Sequence, residues 1–430
     1  MKIHILGIAG SMSTPLALAL VASGHTVTGS DQDKIYPPFS TLLAKNKIVI
    51  NQATIDNRID LIITNGAFDK FDNTKKEYEE SIRLNIPNIS ATEYIAKYLV
   101  KKESILVAGS VGKTTTTALL SWVFLELKLN PSYFIAGQLV NDIPSCQIND
   151  SRYSIVEAGE DFHGLETQAK FLYYPVKYLI LTSTNWEHKD CYPTEEKNLL
   201  AYQKLLEKLP KDGLLIYNPK DKDIQKILPF CKSKSLPYID RHFDTKLLGD
   251  HNQQNIAAVF TLCKELKFNE TEILSAIKSF SGVKLRLELV ADKNNILFYT
   301  DFAQSSDRIK TTISALKAKF PTRPIKVLLD PHAGFLQFKN SVIQLSNSLD
   351  DVDQIFLSKI SFSKNLDKQT RISFIDYKSV FGGKIVYLPI TSDLITTICQ
   401  TLKPGDIFIR FSSGGLESSQ ALTKIIQTVK

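Results

Sequence analysis

The sequence predicts an α/β fold of three consecutive α/β domains: Rossmann-like over 1–102, built on a phosphate loop (P-loop) over 103–283, and Rossmann-like again over 284–430. Three observations carry that expectation. Short β-branched runs alternate with helical stretches from end to end, the rhythm of strand–helix–strand units whose parallel strands need crossover connections. Two glycine-containing turns, Gly7–Ser11 and Gly109–Gly112, each stand between an apolar run and a helical one. A chain of 430 residues has room for three domains at about 150 residues each.

The elements follow in order. Lys2–Leu6 reads as a strand and Thr14–Ser23 as a helix, with Pro15 in the first turn, where its missing N–H is not needed. Thr26–Ser30 is a second strand running into Asp31, and Leu61–Thr64 is another. The polar break Lys101-Lys102-Glu103 sets a boundary near residue 102, and a new strand starts at Ser104–Ala108. Tyr153–Glu157 and Tyr178–Thr182 continue the second unit as strands, and Asn252–Leu266 as a helix. Ser281-Gly282-Val283 reads as a hinge. Beyond it, strands at Ile296–Thr300, Ile325–Leu329, Gln354–Leu357, Lys384–Leu388 and Ile407–Phe411, with a helix over Asp307–Lys319, build the third unit.

Composition excludes several classes. No run of about 18 apolar residues occurs, so no membrane span is expected, and Gly7 and Gly10 interrupt the apolar start before it can form a signal peptide. Cys146, Cys191, Cys231, Cys263 and Cys399 lie far apart without a CxxC pair, which argues against a disulfide framework or a zinc ribbon and for a reducing cytoplasm. The formal charge of +7 rests on 43 lysines and nine arginines spread along the chain, so small molecules rather than nucleic acid are the expected partners.

The strongest chemical signal is Val107-Ala108-Gly109-Ser110-Val111-Gly112-Lys113-Thr114-Thr115-Thr116-Thr117, set between a strand and a helix. Glycines let the backbone curl so that N–H groups face phosphate oxygens. The helix N-terminus adds positive potential, the lysine meets the terminal phosphates and the threonine hydroxyl holds Mg²⁺. The match to the usual GxxxxGK[ST] pattern is incomplete, because its first glycine falls at Val107. Two polar segments follow strands, where open α/β sheets bind ligands. Ile155-Val156-Glu157-Ala158-Gly159-Glu160-Asp161 offers Glu157 as a magnesium ligand, or is a solvated acidic loop. Thr182–Asp190 offers His188 as a metal ligand or its orienter, or carries an ordinary surface or core histidine. Gly7-Ile8-Ala9-Gly10-Ser11 suits a pyrophosphate or is a structural turn, and Asp31 suits ribose hydroxyls or a cap.

Taken together, these segments resemble the ATP-dependent Mur ligases of bacterial cell-wall synthesis over nearly the whole chain, and within that family its murein peptide ligase branch. Tyr36-Pro37-Pro38-Phe39-Ser40-Thr41 is similar to a YPPxST segment, Lys170-Phe171-Leu172-Tyr173-Tyr174-Pro175 to KFLxYxP, and Phe411-Ser412-Ser413-Gly414-Gly415-Leu416 to MSNGGF. The resemblance implies a P-loop ATPase unit at the centre. It implies ATP on Gly109, Ser110, Val111, Gly112, Lys113, Thr114 and Thr115, magnesium on Thr114, Glu157 and His188, and the UDP moiety on Gly7, Ile8, Ala9, Gly10, Ser11, Ser30 and Asp31. His251, Asn252 and Asn255 match a GxHNxxN segment expected near adenine. Arg286 in Lys284-Leu285-Arg286-Leu287-Glu288 and Asp301 in Tyr299-Thr300-Asp301-Phe302-Ala303 are expected to bring the third domain onto the nucleotide. Lys113, Glu157, His188 and Arg286 are the implied catalytic residues.

Val111, Leu285, Asn185, Glu187 and Gln304 depart from the family pattern. The implied reaction joins the lactyl carboxylate of UDP-N-acetylmuramate to the amine of L-Ala-γ-D-Glu-meso-diaminopimelate through an acyl phosphate, a peptidoglycan-recycling step using ATP and Mg²⁺. An L-alanine-adding relative and a catalytically weak nucleotide-binding relative are the alternatives. A Lys113→Ala variant is expected to lose phosphate release with little effect on folding.

Overall fold

The computed structural model describes residues 1–51, 54–302, 305–331, 334–362, 369–412 and 416–429. Ala303, Gln304 and Ser413–Gly415, which carry two of the sequence readings, lie outside the described residues. The chain forms two compact units, Met1–Leu247 with His251–Val283, and Leu248–Asp250 with Lys284–Lys430.

The first unit contains two sheets. In the N-terminal sheet, β1 (Lys2–Leu6), β2 (Thr26–Ser30), β3 (Val49–Ile50), β4 (Leu61–Thr64) and β5 (Asn88–Ser90) are all parallel, in the order β3-β2-β1-β4-β5. The central sheet holds β6 (Glu103–Ala108), β7 (Ser132–Phe134), β8 (Cys146–Gln147), β9 (Tyr153–Ala158), β10 (Tyr178–Leu181), β11 (Leu214–Tyr217) and β12 (Lys234–Pro237) in the order β12-β11-β10-β6-β9-β7-β8. Only β8 runs antiparallel to its neighbour among these pairings. All six residues of β6 are buried, as expected of a parallel strand covered by helices on both faces.

The order of both sheets reverses beside their first strand, at β1 and at β6, and such a switch point opens a crevice at the carboxyl ends of the strands. Around β6 the register pairs Ala108 with Ala158 of β9 and with Leu181 of β10. The loops after these three strands therefore emerge side by side. One apolar core runs from the N-terminal sheet, through Ile5, Leu16 and Leu20, into the near face of the central sheet at Leu106, Val156 and Leu181. On the far face, Ile105, Val107 and Ile180 pack against Leu119, Val123, Ile256 and Ile277 from three covering helices.

The second unit has one sheet of β13 (Glu288–Lys293), β14 (Ile296–Asp301), β15 (Ile325–Asp330), β16 (Gln354–Leu357), β17 (Ile385–Tyr387) and β18 (Ile407–Ser412), in the order β13-β14-β18-β15-β16-β17. It is parallel except for the β13–β14 hairpin. Helices line both faces, with separate apolar clusters around Ile309, Leu316 and Tyr377 on one side and Ile398 and Ile425 on the other. The three-sheet α/β architecture is the one the sequence rhythm predicts.

Element ends differ from the sequence reading by one or two residues, as at the first helix (Ser13–Ala22) and the helix Asp250–Glu265. The short strands β3, β5, β7, β8, β12 and the antiparallel β13 were not legible, because two to six residues of mixed polarity carry no period. Among the described residues no helix is long and apolar enough to cross a membrane.

Candidate active site

The loop after β6 is shaped by its glycines. Gly109 sits at φ 134°, and a β-carbon there would collide with the Thr182 hydroxyl and come within 2.7 Å of the Ser183 amide. Gly112 sits at φ 89°, where a β-carbon would meet Asn255 Oδ1 at 2.7 Å. Both positions need glycine for conformation and for space. Lys113 then opens the helix Lys113–Glu126, so the loop meets a helix N-terminus.

The loop rests on a polar shelf from the strand beside it. Ser110 N donates to Ser183 O at 3.1 Å, Val111 N donates to Ser183 Oγ at 2.9 Å, and Thr182 Oγ1 donates to Val111 O at 2.6 Å. Ser110, buried, has its hydroxyl 2.8 Å from Ser183 Oγ and accepts Asn185 N at 3.0 Å. Ser110 thus braces the loop. Val111, which replaces a histidine of the family pattern, is exposed, and Thr115 is half-buried in the first helical turn.

Lys113 folds back over its own loop. Its Nζ donates to the carbonyls of Gly109 and Ser110 and to Glu160 Oε2 at 2.8 Å. Thr114 Oγ1 donates to Glu157 Oε1 at 2.7 Å, and the other oxygen of Glu157 accepts Ala136 N at 2.7 Å. Glu160 is 1% exposed, and its Oε1 has no hydrogen-bond partner. His188 approaches that oxygen, Nε2 to Oε1, at 3.6 Å. A buried carboxylate oxygen left open beside a lysine, a threonine hydroxyl and a second carboxylate fits a hard divalent cation with oxygen ligands.

Sequence reasoning named Glu157 and His188 but not Glu160, although Glu160 stood in the same acidic segment. The pairing also corrects the expectation for Lys113→Ala. Removing the lysine would strand a buried carboxylate, so folding is expected to suffer with activity.

Asn252 and Asn255 are buried on the helix Asp250–Glu265, joined by an Asn255 Nδ2 to Asn252 Oδ1 bond of 3.2 Å. Asn255 lies against Gly112, so this pair flanks the phosphate loop, with His251 half-buried beside it.

The first glycine loop is wired differently. Gly7 N and Ile8 N both donate to Ser30 O, at 2.7 and 3.1 Å. Ala9 N donates to Asp31 Oδ2 at 2.7 Å, Gln32 N donates to Asp31 Oδ1 at 2.8 Å, and Asn65 Nδ2 donates to Gly7 O at 2.6 Å. Ile8 and Ser30 are fully buried, and the Ser30 hydroxyl is 3.1 Å from His4 Nε2. Their side chains serve the core, which corrects the expectation that both face a ligand. Asp31 is also spent on the loop itself. Burial pushes its carboxyl up from the ordinary range, against the two amide bonds that favour the charge. Ala9, Gly10 and Ser11 are half-buried or exposed and remain at the surface.

Arg286 and Asp301 lie together in the second unit. Asp301 accepts Leu287 N at 2.6 Å and Thr312 Oγ1 at 3.4 Å, and Leu285 and Leu287 take positive φ of 60° and 46° to bring the backbone round it. Burial lifts the Asp301 carboxyl to about 6 despite the opposing Arg286 charge.

Two segments singled out by resemblance have structural settings. Tyr36–Thr41 leads into the helix Phe39–Lys45. Lys170 opens the short helix Lys170–Tyr173 and pairs with Asp161, while Glu166 bonds to Thr92 of the N-terminal region. Glu166, ahead of that segment, thus ties the loop after β9 to the short helix Ala91–Tyr94 that follows β5.

A parallel α/β sheet with a glycine loop, a loop lysine and a carboxylate on the adjoining strand, all at the switch point, defines a P-loop nucleotide-binding protein. The Mur ligase middle-domain profile matches residues 107–239, and the profile described as Mur ligase family, catalytic domain, matches residues 2–102. The chain belongs to the Mur ligase family, whose members are ATP-dependent amide-bond ligases.

Curated relatives include a UDP-N-acetylmuramate–L-alanine ligase of Desulfitobacterium hafniense strain Y51, 26% identical, with 97% of this chain and 98% of that one aligned. A UDP-N-acetylmuramate–L-alanyl-γ-D-glutamyl-meso-2,6-diaminoheptandioate ligase of Escherichia coli K12 is 27% identical, with 96% of each aligned. Among solved structures, a UDP-N-acetylmuramate–alanine ligase of Thermotoga maritima superposes with a TM-score of 0.80 at 21% identity, and a murein peptide ligase of Psychrobacter arcticus 273-4 with 0.70 at 22%, each over 100% of both chains.

Proposed function

We propose that this ligase uses ATP to activate the lactyl carboxylate of UDP-N-acetylmuramate and joins it to the free amine of L-Ala-γ-D-Glu-meso-diaminopimelate, a recycling reaction of the reducing cytoplasm. The observation that carries the ATP-dependent chemistry is the double pairing at the phosphate loop, Lys113 with Glu160 and Thr114 with Glu157. The tripeptide rests on the Tyr36–Thr41 and Lys170–Pro175 segments, which resemble the murein peptide ligase branch. In this reading residues 1–102 hold the UDP moiety at the loop surface around Gly10 and Ser11, residues 103–283 hold ATP, and residues 284–430 receive the peptide.

The carboxylate of UDP-N-acetylmuramate attacks the γ-phosphorus in line, ADP leaves, and an acyl phosphate results. Lys113 turns from its resting carbonyls to the transferring phosphate, while the loop amides and the helix N-terminus hold its oxygens. Thr114, Glu157, Glu160 and His188 would hold magnesium, which neutralises phosphate charge when bound. The peptide amine then attacks the acyl carbon, loses a proton and displaces phosphate. Asn252 and Asn255 fit the nucleotide beside Gly112, and the resemblance assigns Arg286 and Asp301 to the same reaction.

The second reading takes L-alanine as the amine. It is favoured by the names of several curated relatives and by the larger TM-score to the alanine ligase structure. Phosphate release from ATP and magnesium with UDP-N-acetylmuramate, comparing tripeptide with L-alanine, separates the two. Stimulation by the tripeptide, with a product of the summed mass less water, is the expected result. Stimulation by L-alanine alone would replace it with the second reading, and silence with both would overturn both readings of the acceptor.

A further inference from the structure

Beyond the phosphate loop, the segment after β9 and the segment after β10 bring three metal-binding side chains together. His163 Nε2 lies 3.8 Å from Cys191 Sγ and 3.7 Å from Asp190 Oδ2, and the ligand atoms of all three residues sit within 4.8 Å of one another. In a tetrahedral zinc site, with Zn–S near 2.3 Å and Zn–N or Zn–O near 2.0–2.2 Å, neighbouring ligand atoms are about 3.4–3.6 Å apart. The two distances from His163 need to close by only a few tenths of an ångström, and the third pair lies within 4.8 Å.

Cys191 sits between two backbone groups of Phe162, and its thiol donates to Phe162 O at 3.4 Å. Phe162 N points at Cys191 Sγ from 3.5 Å, an N–H donor of the kind that supports a metal-bound sulfur. His163 N donates to Glu166 Oε2 at 3.1 Å, and its β-carbon packs where Gly66 has no side chain, so the histidine is seated against the N-terminal sheet. Asp190 is exposed and leaves the cluster open to solvent, which provides an entry path and room for a water as fourth ligand.

We propose that His163, Asp190 and Cys191 form a binding site for a borderline-soft divalent cation of the zinc class, next to the set at Thr114, Glu157, Glu160 and His188, with Asp190 Oδ1 3.8 Å from His188 Nδ1. The mixed nitrogen, sulfur and oxygen donors select zinc or cobalt over magnesium. The sequence hides the site, because 27 positions separate His163 from the Asp190-Cys191 pair and no spaced motif marks it.

Cobalt(II) titration of the full-length, chelator-treated protein tests the proposal without reference to ligase activity. The expected result is one equivalent giving a thiolate-to-cobalt charge-transfer band and intense tetrahedral d–d bands, displaced by zinc and undisturbed by excess magnesium. Cys191→Ser should abolish the charge-transfer band. Cys191→Ser and His163→Ala should each weaken zinc binding by at least about a hundredfold, since even supporting residues change affinity 10–100-fold. Zinc should also raise the melting temperature of the native protein and not that of either variant. Absence of the charge-transfer band from the native protein, or a band that persists in Cys191→Ser, would overturn it, and unchanged melting of the metal-free variants excludes misfolding as the cause of a loss.

Discussion

Two glycine loops in one compact unit occupy the same place in their sheets, yet they are built for different loads. Gly7–Ser11 follows β1 and Gly109–Gly112 follows β6, both at a switch point and both before a helix. The first closes on its own backbone, with Ser30 O and the Asp31 carboxylate consuming the amides of Gly7, Ile8 and Ala9. The second is propped from outside by Thr182 and Ser183, and its lysine is matched to a buried acid. The contrast teaches that a glycine turn at a switch point sets a place for a ligand, while the groups behind the turn set which charge that place tolerates. An acid behind the first loop opposes an anion; a lysine over the second invites one.

The sharpest way to break this comparison is to put a methyl group on each loop. Gly109→Ala should destabilise by more than about 4 kcal/mol and end ATP turnover, because its β-carbon has no space and φ 134° is unfavourable. Thermal unfolding of the purified variant checks it, and a near-native melting temperature would show that the Thr182–Ser183 shelf yields easily.

Lys113→Ala comes next. Loss of the loop cation should lower phosphate release by about 10²–10³-fold. It should also destabilise the fold by about 3 kcal/mol, since Glu160 is left buried and unpaired. Adding Glu160→Gln should restore much of the stability and none of the turnover. Denaturant titration of the single and double variants separates the two effects.

Acids raised by burial supply a third test. Asp301 holds its proton to about pH 6 when folded, whereas the unfolded chain releases it near 3.8, so the folded state binds more protons between those values. Its contribution therefore favours folding below that window and falls as pH rises through it, by at most about 3 kcal/mol. Asp301→Asn should flatten that part of the stability curve. Asp31 has the same sign, and as it ionises the first loop should lose affinity for a pyrophosphate-containing ligand; the pH dependence of UDP-N-acetylmuramate binding, with Asp31→Asn as control, reads this out.

The smallest effect is expected at Gly10→Ala. Only the flexible Asn65 amide would lie near the new carbon, at 3.3 Å, and Gly10 is not held at a positive φ. A change within about 1 kcal/mol is expected. A large loss would mean that the first loop is as tightly built as the second.

Much of the fold was legible from local patterns. β4, β6 and β10 carry continuous apolar runs at Leu61–Ile63, Ile105–Ala108 and Leu179–Leu181, and the Gly-Lys-Thr turn announces its helix by composition alone. The edge strands β3, β8 and β12 were not, because their pairing comes from neighbours rather than from periodicity. At the site, Lys113, Thr114 and Glu157 could be named because each stands beside a strand end. Glu160 was hidden among acids of equal formal promise, and only its burial beside Lys113 sets it apart.

By itself, then, the sequence determined the rhythm of strands and helices, the two glycine turns and the lysine and threonine that face a phosphate, since these depend on residues within a few positions of one another. Tertiary structure decided which acid balances the lysine, that Ser30 and Ile8 belong to the core, and that His163 meets Cys191. Parallel sheets join strands distant in sequence through crossover connections, so the loops that share one end of β6, β9 and β10 become neighbours only when the strands pair.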